Sequence, residues 1–236
     1  MVALVEGPEA LPLVAEVADA QGIEFCVSLR LDPPMVAATC AHGYMPMALE
    51  LEGHPLLLIK CHDERCVLDF ADLHTSASTV RRARGLSLEI DRDFPGCLAA
   101  TVASHPDRWL VDALCESLAS LHETPVQGVR CHSVEVYAGD ELVAGEIGYT
   151  CGAVYSSLSG FHRRSGAGSV QLACLARILE RGGFAFWDLG MDLEYKRRLG
   201  ARVLDRDDFL ERYRGARGRD AALAPGPYGC ERLLRE

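Results

Sequence analysis

Residues 132–159 read HSVEVY, AGDE, LVAGEIGYT, CG and AVYSSLS, three alternating apolar runs separated by two short glycine turns. Period-two alternation broken by tight turns specifies three strands in an antiparallel meander. The next stretch, GFHRRSGAGSVQLACLA at 160–176, is a glycine-rich loop opening a helix from about Ser169 to Glu180. After it come a GG turn, a strand FAFWDLG, a basic helix around Glu194 to Leu199 and a last strand ARVLDR. Strands followed by interleaved helices and strands specify an α+β architecture with a mixed central sheet.

Upstream, Asp32 followed by Pro33 and Pro34 is a helix start signal for MVAATCAH at 35–42, which the turn GYMP closes. HPLLLIKCHDERCVLDF reads as a hairpin of two strands around Asp63 and Glu64. A helix from about Ser76 to Arg84 stops at Gly85, and LSLEID at 86–91 alternates as a strand. DFPGCLAATVAS and DRWLVDALCESLASLHE have helical apolar spacing, and Pro125 and Gly128 mark a linker. The tail after Tyr213, rich in Gly, Arg, Ala and Pro, is expected to be loosely ordered.

With 236 residues, 49% apolar and 25% charged, the chain is long enough to bury a proper core. It has no run of eighteen apolar residues, and its N-terminus is acidic where a signal peptide needs a basic start, so a cytoplasmic location with no membrane partner is expected. The ten cysteines are scattered singly through apolar segments, the usage of small buried hydrophobes. The closest set is KCHDERC, in which Cys61, His62 and Cys66 offer metal-ligand chemistry, but no second pair completes a tetrahedral site and no metal is expected.

A net charge of −10 opposes general polyanion binding. Arginine nevertheless clusters at Arg81, Arg82 and Arg84, at Arg163 and Arg164, and with Lys196 at Arg197 and Arg198. Each cluster alone reads as a solvated helix end or loop; convergence on one face would make an anion site. Gly166 and Gly168 lie just ahead of a helix whose first N–H groups have no internal partner, a pattern suited to phosphate and equally to an ordinary helix start. Asp188 is an acid in an apolar strand, which fits proton or hydrogen-bond chemistry or a turn cap. Glu146 poses the same choice on the meander, Trp109 fits either a pocket wall or the core, and His132 fits a structural histidine.

The order of meander, glycine loop, helix, strand, helix, strand is that of the acetyltransferase-like (GNAT) fold, and Arg163-x-x-Gly166-x-Gly168 resembles the pyrophosphate loop of acetyl-CoA-dependent members. More specifically, HSVEVYAGDELVAGEIG at 132–148 and RRLGARVLDRDDFLERY at 197–213 resemble the C-terminal half of leucyl/phenylalanyl-tRNA protein transferases. LDPPMVAATCAHGYMP at 31–46 is similar to that family's entry helix and Gly-aromatic-x-Pro turn, and DERCVLDFADLH at 63–74 to its Arg-x-Val-Leu segment. The resemblance runs from about residue 24 to 213. It implies a small N-terminal α/β domain (1–75), a GNAT-like, acyl-CoA N-acyltransferase-like domain with a mixed central sheet (76–213) and a C-terminal tail (214–236).

The resemblance also implies transfer of a Leu-, Phe- or Met-like residue from aminoacyl-tRNA to a protein N-terminus, a peptide or a small amine, by a monomer without cofactor. Asp188 falls on the family's catalytic-strand Asp, Trp109 on its Trp beside the adenosine, and Arg163 on the Arg of its Phe-Ser-Arg motif, here Phe161-His162-Arg163. The family's Asp-Cys-Gln reads Asp188-Leu189-Gly190, its Gly-Glu-Ser reads Ser157-Leu158-Ser159, and its Ser-Lys becomes Gly168-Ser169. The departures concentrate at the chemistry, which marks a divergent member. The expected set is therefore Asp188 in catalysis; Trp109, Ser157, Leu158, Ser159, Phe161 and Gly190 on substrate; and Arg81, Arg82, Arg163, Arg164, Gly166 and Gly168 on tRNA or phosphate. Glu146 is weighed as a replacement for the missing acid. An acetyl-CoA-dependent N-acyltransferase and a silent tRNA- or N-terminus-binding module are the competing readings.

Overall fold

The chain builds two sheets in a computed structural model that describes residues 3–105 and 109–236. The first sheet, in the order β1-β2-β4-β3, joins β1 (Ala3–Leu4), β2 (Phe25–Ser28), β3 (Met45–Leu51) and β4 (His54–Lys60). Helices α1 (Val14–Gln21) and α2 (Pro33–Ala41) accompany it. Asp32 caps α2 by accepting the Met35 N–H at 3.0 Å, with both prolines in the first turn where their missing N–H costs nothing. Every residue of α2 from Met35 to Ala41 is buried, so this helix is a core element rather than an amphipathic surface one.

The expected hairpin of residues 54–70 does not form. β4 pairs on one edge with β2 and on the other with β3, through a turn at Glu52 and Gly53, both at positive φ. With both edges of β4 filled, β5 (Glu64–Leu68) enters the second sheet instead, between β10 (Phe186–Gly190) and β11 (Arg202–Asp205). The passage at residues 61–63 is pinned by Arg206, which donates to the carbonyls of Cys61 and His62 and forms ion pairs with Asp19 and Asp63.

The second sheet has eight strands in the order β11-β5-β10-β9-β8-β7-β6-β12. Its centre is the meander of β7 (Val129–Ala138), β8 (Glu141–Cys151) and β9 (Val154–His162), flanked by β6 (Leu86–Ile90). Between β6 and β7 the chain forms α4 (Phe94–Ser104) and α5 (Asp112–Glu123), after α3 (Ala77–Arg82) ahead of β6. Trp109 to Val111 precede α5 rather than starting it, and Asp107 and Arg108, the first residues expected in that helix, lie outside the described residues. Helix α6 (Ala167–Arg181) then crosses from β9 to β10, which therefore run parallel. Helices α7 (Glu194–Arg198) and α8 (Arg206–Ala216) flank β11.

The C-terminal segment, expected to be loosely ordered, is instead docked. Tyr228 and Gly229 form β12 against Leu88 and Ser87 of β6, covering that edge of the sheet, and Cys230 and Leu233 of α9 (Cys230–Leu233) are buried against the α6 side. A short amphipathic pair of apolar residues suffices for docking because it meets an already formed core. On one face of the large sheet lie α3, α6 and α9; the other face packs with α2, α4, α5 and α8 in a core shared with the first sheet. All ten cysteines are free and nine are buried, matching their apolar settings.

Candidate active site

A cavity of about 500 Å³ opens where the two sheets meet, at the ends of the parallel strands β9 and β10 and the start of α6. Its apolar wall includes Met45, Met47, Trp109, Leu158, Phe161, Leu172, Leu189 and Met191; its polar wall includes His62, Glu146, Ser157, Gln171 and Lys196. Trp109 is fixed from the first sheet, since the Ala48 N–H donates to its carbonyl at 3.1 Å. Two register breaks shape the wall. Between β8 and β9 the pairing steps from Ile147–Ser159 to Gly148–Ser157, leaving Leu158 unopposed; between β10 and β5 it steps from Asp188–Val67 to Gly190–Cys66, leaving Leu189 unopposed. An extra residue in a ladder bends its strand and re-aims its side chain, and here both extra residues line the cavity.

Glu146 is 3% exposed, and its carboxylate carries a built network. Oε1 accepts from the Tyr155 hydroxyl at 3.0 Å and from Ser157 Oγ at 2.9 Å; Oε2 accepts from Gln171 Nε2 at 2.8 Å. Ser157 Oγ in turn accepts from Trp187 Nε1 at 2.9 Å, which fixes its proton toward Glu146. Oε1 is thereby saturated, while Oε2 keeps one lone pair for a ligand. Burial raises the Glu146 pKa, against the opposing pull of the donors Gln171, Ser157 and Tyr155.

Asp188 lies fully buried behind this wall and does not line the cavity. Oδ1 accepts Arg65 Nε at 3.1 Å and the Gly190 N–H at 2.9 Å, and Oδ2 accepts Arg65 Nη2 at 2.5 Å. This bidentate pair is the geometry guanidinium and carboxylate favour. The same Arg65 gives Nη1 to His62 Nδ1 at 2.8 Å. His62 is 6% exposed, lines the cavity and has its Nε2 buried without a partner among the described residues. Lys196, expected within a basic surface cluster, is buried instead: Nζ donates to the carbonyls of Leu189 at 2.6 Å and Met191 at 2.9 Å, and burial lowers its pKa.

Its neighbours Arg197 and Arg198 pair with Asp192 and Glu194, so that basic cluster is neutralised locally. Arg81, Arg82, Arg163 and Arg164 are exposed and, among the described residues, form no ion pair with a carboxylate. Arg82 packs over Gly166, where an added Cβ would collide with Arg82 Cδ and stand 2.9 Å from Nε. Arg163 lies 5.3 Å from the Phe161 ring and donates to the Leu142 carbonyl at 3.3 Å. Gly166, at φ +82°, is the residue before α6, whereas Gly168 sits inside its first turn.

Of the residues expected from sequence, the cavity wall thus brings together Trp109, Ser157, Leu158, Ser159, Phe161, Gly166 and Gly168. Asp188 and Gly190 sit immediately behind it. Sequence reasoning missed Gln171, Arg65 and Tyr195, and it read His62 only as a metal ligand and Lys196 only as part of a basic cluster, whereas both line the cavity. Gln171 alone left a signal, a polar residue on what folds as the buried side of α6. His132 is the structural histidine expected, bonded to Asp91 at 2.8 Å and Thr150 at 3.1 Å. No group of three metal-ligating side chains occurs among the described residues, and Cys61 and Cys66 are buried in different cores.

Residues 67–214 match the sequence profile of the leucyl/phenylalanyl-tRNA protein transferases. The chain is similar to the leucyl/phenylalanyl-tRNA–protein transferase of Roseobacter denitrificans, at 33% identity over 84% of this chain and 93% of that one. It is also similar to the enzyme of the same name from Pseudomonas paraeruginosa, at 32% identity over 78% and 82% of the two chains. Among solved structures, the C-terminal domain of a lysylphosphatidylglycerol synthetase-type protein from Agrobacterium fabrum aligns over 92% of this chain and 80% of that one, at 12% identity and a TM-score of 0.42, a likeness too weak to bear on the fold.

Proposed function

The chain belongs to the leucyl/phenylalanyl-tRNA protein transferase family, and from that premise we propose that it is an enzyme moving a Leu-, Phe- or Met-like residue from aminoacyl-tRNA to the amino group of a protein N-terminus. The acceptor nitrogen attacks the ester carbonyl carbon. A C–N bond forms, the ester C–O bond breaks, the ribose oxygen leaves as a hydroxyl after taking a proton, and the amine gives one up. The ester is already activated, so the chain needs to supply positioning, an acceptor for the amine proton and donors for the carbonyl oxygen.

One observation carries this reading to the site. The sequence lacks a glutamate at Leu158 and a glutamine at Gly190, yet a carboxylate and an amide meet in the cavity wall as Glu146 and Gln171, 2.8 Å apart. We assign the open lone pair of Glu146 Oε2 to the attacking amine. The apolar wall around Leu158, Phe161 and Leu172 suits the transferred side chain, and Trp109 and Tyr195 suit the terminal adenosine. Arg81, Arg82, Arg163 and Arg164, with the first-turn N–H groups beyond Gly166 and at Gly168, suit the phosphates of the tRNA end. Asp188 acts as a positioning residue through Arg65.

Family membership favours aminoacyl-tRNA over acetyl-CoA as donor, and an enzyme over a silent binding module. The run β7-β8-β9-α6-β10 supports a GNAT-like reading of the larger sheet, with the two parts of the chain exchanging at residues 61–63 and the docked C-terminal segment belonging to the second. We place the protein in the cytoplasm with charged tRNA; among the described residues no helix is long and apolar enough to cross a membrane. The test is transfer of labelled amino acids from a mixed charged-tRNA pool to peptides of varied N-terminus. Incorporation of an apolar residue is expected, and its absence for every amino acid and acceptor would overturn the transferase reading.

A further inference from the structure

The KCHDERC segment leaves one side chain that neither the core nor the carboxylate network uses. Cys61 and Cys66 turn into separate cores, but His62 between them forms part of the cavity wall. Arginine has only donors, so the 2.8 Å contact from Arg65 Nη1 requires His62 Nδ1 to be an acceptor. The proton of the neutral ring is therefore on Nε2. That N–H is buried with no partner among the described residues, and a buried donor left unpaired costs free energy unless something else accepts from it.

We infer that His62 contacts the substrate of the proposed transfer, donating its Nε2–H to the carbonyl oxygen of the aminoacyl ester. This assignment rests on the transferase reading. When the amine attacks, negative charge gathers on that oxygen, and a donor fixed beforehand in a buried wall stabilises it without reorganising. Lys196 lines the same cavity, with two of its N–H groups bound to the carbonyls of Leu189 and Met191. Burial first, then the cations Arg65, Lys60, Lys196 and Arg206, push the His62 pKa down to about 2, so the ring stays neutral and its tautomer fixed. Asp188 holds Arg65, and Arg65 holds the ring, which gives the fully buried aspartate an influence on the chemistry across two hydrogen bonds.

The experiment compares wild type, His62→Phe and His62→Gln in steady-state transfer, alongside ring ¹⁵N spectra of the wild-type protein with and without 3′-phenylalanylamino-3′-deoxyadenosine, a non-hydrolysable mimic of the charged tRNA end. His62→Phe is expected to lower kcat by about 10²-fold, the usual effect of removing one such donor, while KM for charged tRNA moves less than about threefold. His62→Gln, which returns an N–H at a similar reach, should recover at least about tenfold of that loss. The spectra should show the Nε2–H tautomer from about pH 8 to about pH 5, with the Nε2 signal shifted by the mimic. A His62→Phe protein with kcat within about twofold of wild type, an Nδ1–H tautomer, or an Nε2 signal unmoved by saturating mimic would each overturn the assignment. Transfer that survives His62→Phe sinks the donor and leaves the transferase reading standing; a mimic-shifted Nε2 in a protein that transfers nothing does the reverse.

Discussion

Glu146 concentrates what single residues decide here. Its pKa is raised by burial despite three donors, so the ionised form needed to accept a proton is lost as pH falls through a value above the usual carboxylate range. Transfer should therefore show an acidic limb in that region, and Glu146→Gln should abolish the limb along with about 10²-fold of kcat. Stability has the opposite sign. A folded-state pKa above the unfolded one contributes stability that is full below the unfolded value and lost as pH rises through the folded value. Glu146→Gln keeps the shape and sheds that loss, so its melting temperature relative to wild type should climb as pH rises from the usual carboxylate range toward neutrality. A flat difference across that range would show that the carboxylate is not ionising in place. Asp188 was legible in sequence as a buried acid, but its two oxygens proved to be occupied by Arg65 and Gly190, a partnership spanning 123 residues that no local pattern reveals.

At the scale of elements, the start of α6 separates two glycines that look alike in sequence. Gly166 has φ +82° and no room for a Cβ beneath Arg82, whereas an added Cβ at Gly168 would meet nothing closer than His162 Cβ at 3.7 Å. Gly166→Ala should cost about 1–2 kcal/mol for the left-handed backbone alone, displace Arg82, and raise KM for charged tRNA several-fold. Gly168→Ala should be neutral or stabilising by up to about 1 kcal/mol, since Ala outranks Gly inside a helix. Thermal melts and KM measurements on the pair check this, and equal effects at both positions would refute the distinction. The meander, α3 with its Ser76 cap and α6 were legible because their signals are local: alternation, capping and periodicity. The supposed hairpin of β4 with β5 was not, because edge occupancy by β2 and β3 decided it.

The molecule as a whole is closed by its last residues. β12 covers the free edge of β6, and Leu233, 3% exposed, packs with Cys230 into the core on the α6 side. Leu233→Ala should lower unfolding free energy by about 2–5 kcal/mol, the range for emptying a buried leucine site. Urea unfolding would register it as a fall in midpoint at unchanged slope. An unaltered midpoint would mean that the segment is only loosely attached, as its composition had suggested.

Short-range signals in the sequence carried the α+β class, the order of the central elements, the Asp32 cap of α2, the presence of α6 though not its first turn, and a set of residues most of which do converge on one cavity. Those features follow from short-range periodicity and backbone chemistry. Tertiary structure alone decided which strands share an edge, that the carboxylate and amide at the cavity come from Glu146 and Gln171, and that Lys196 turns inward while Asp188 is held from view. A polar group's role depends on what accepts or donates to it once water is excluded, and for Asp188 and Glu146 those partners include Arg65 and Gln171, 123 and 25 residues away in the chain.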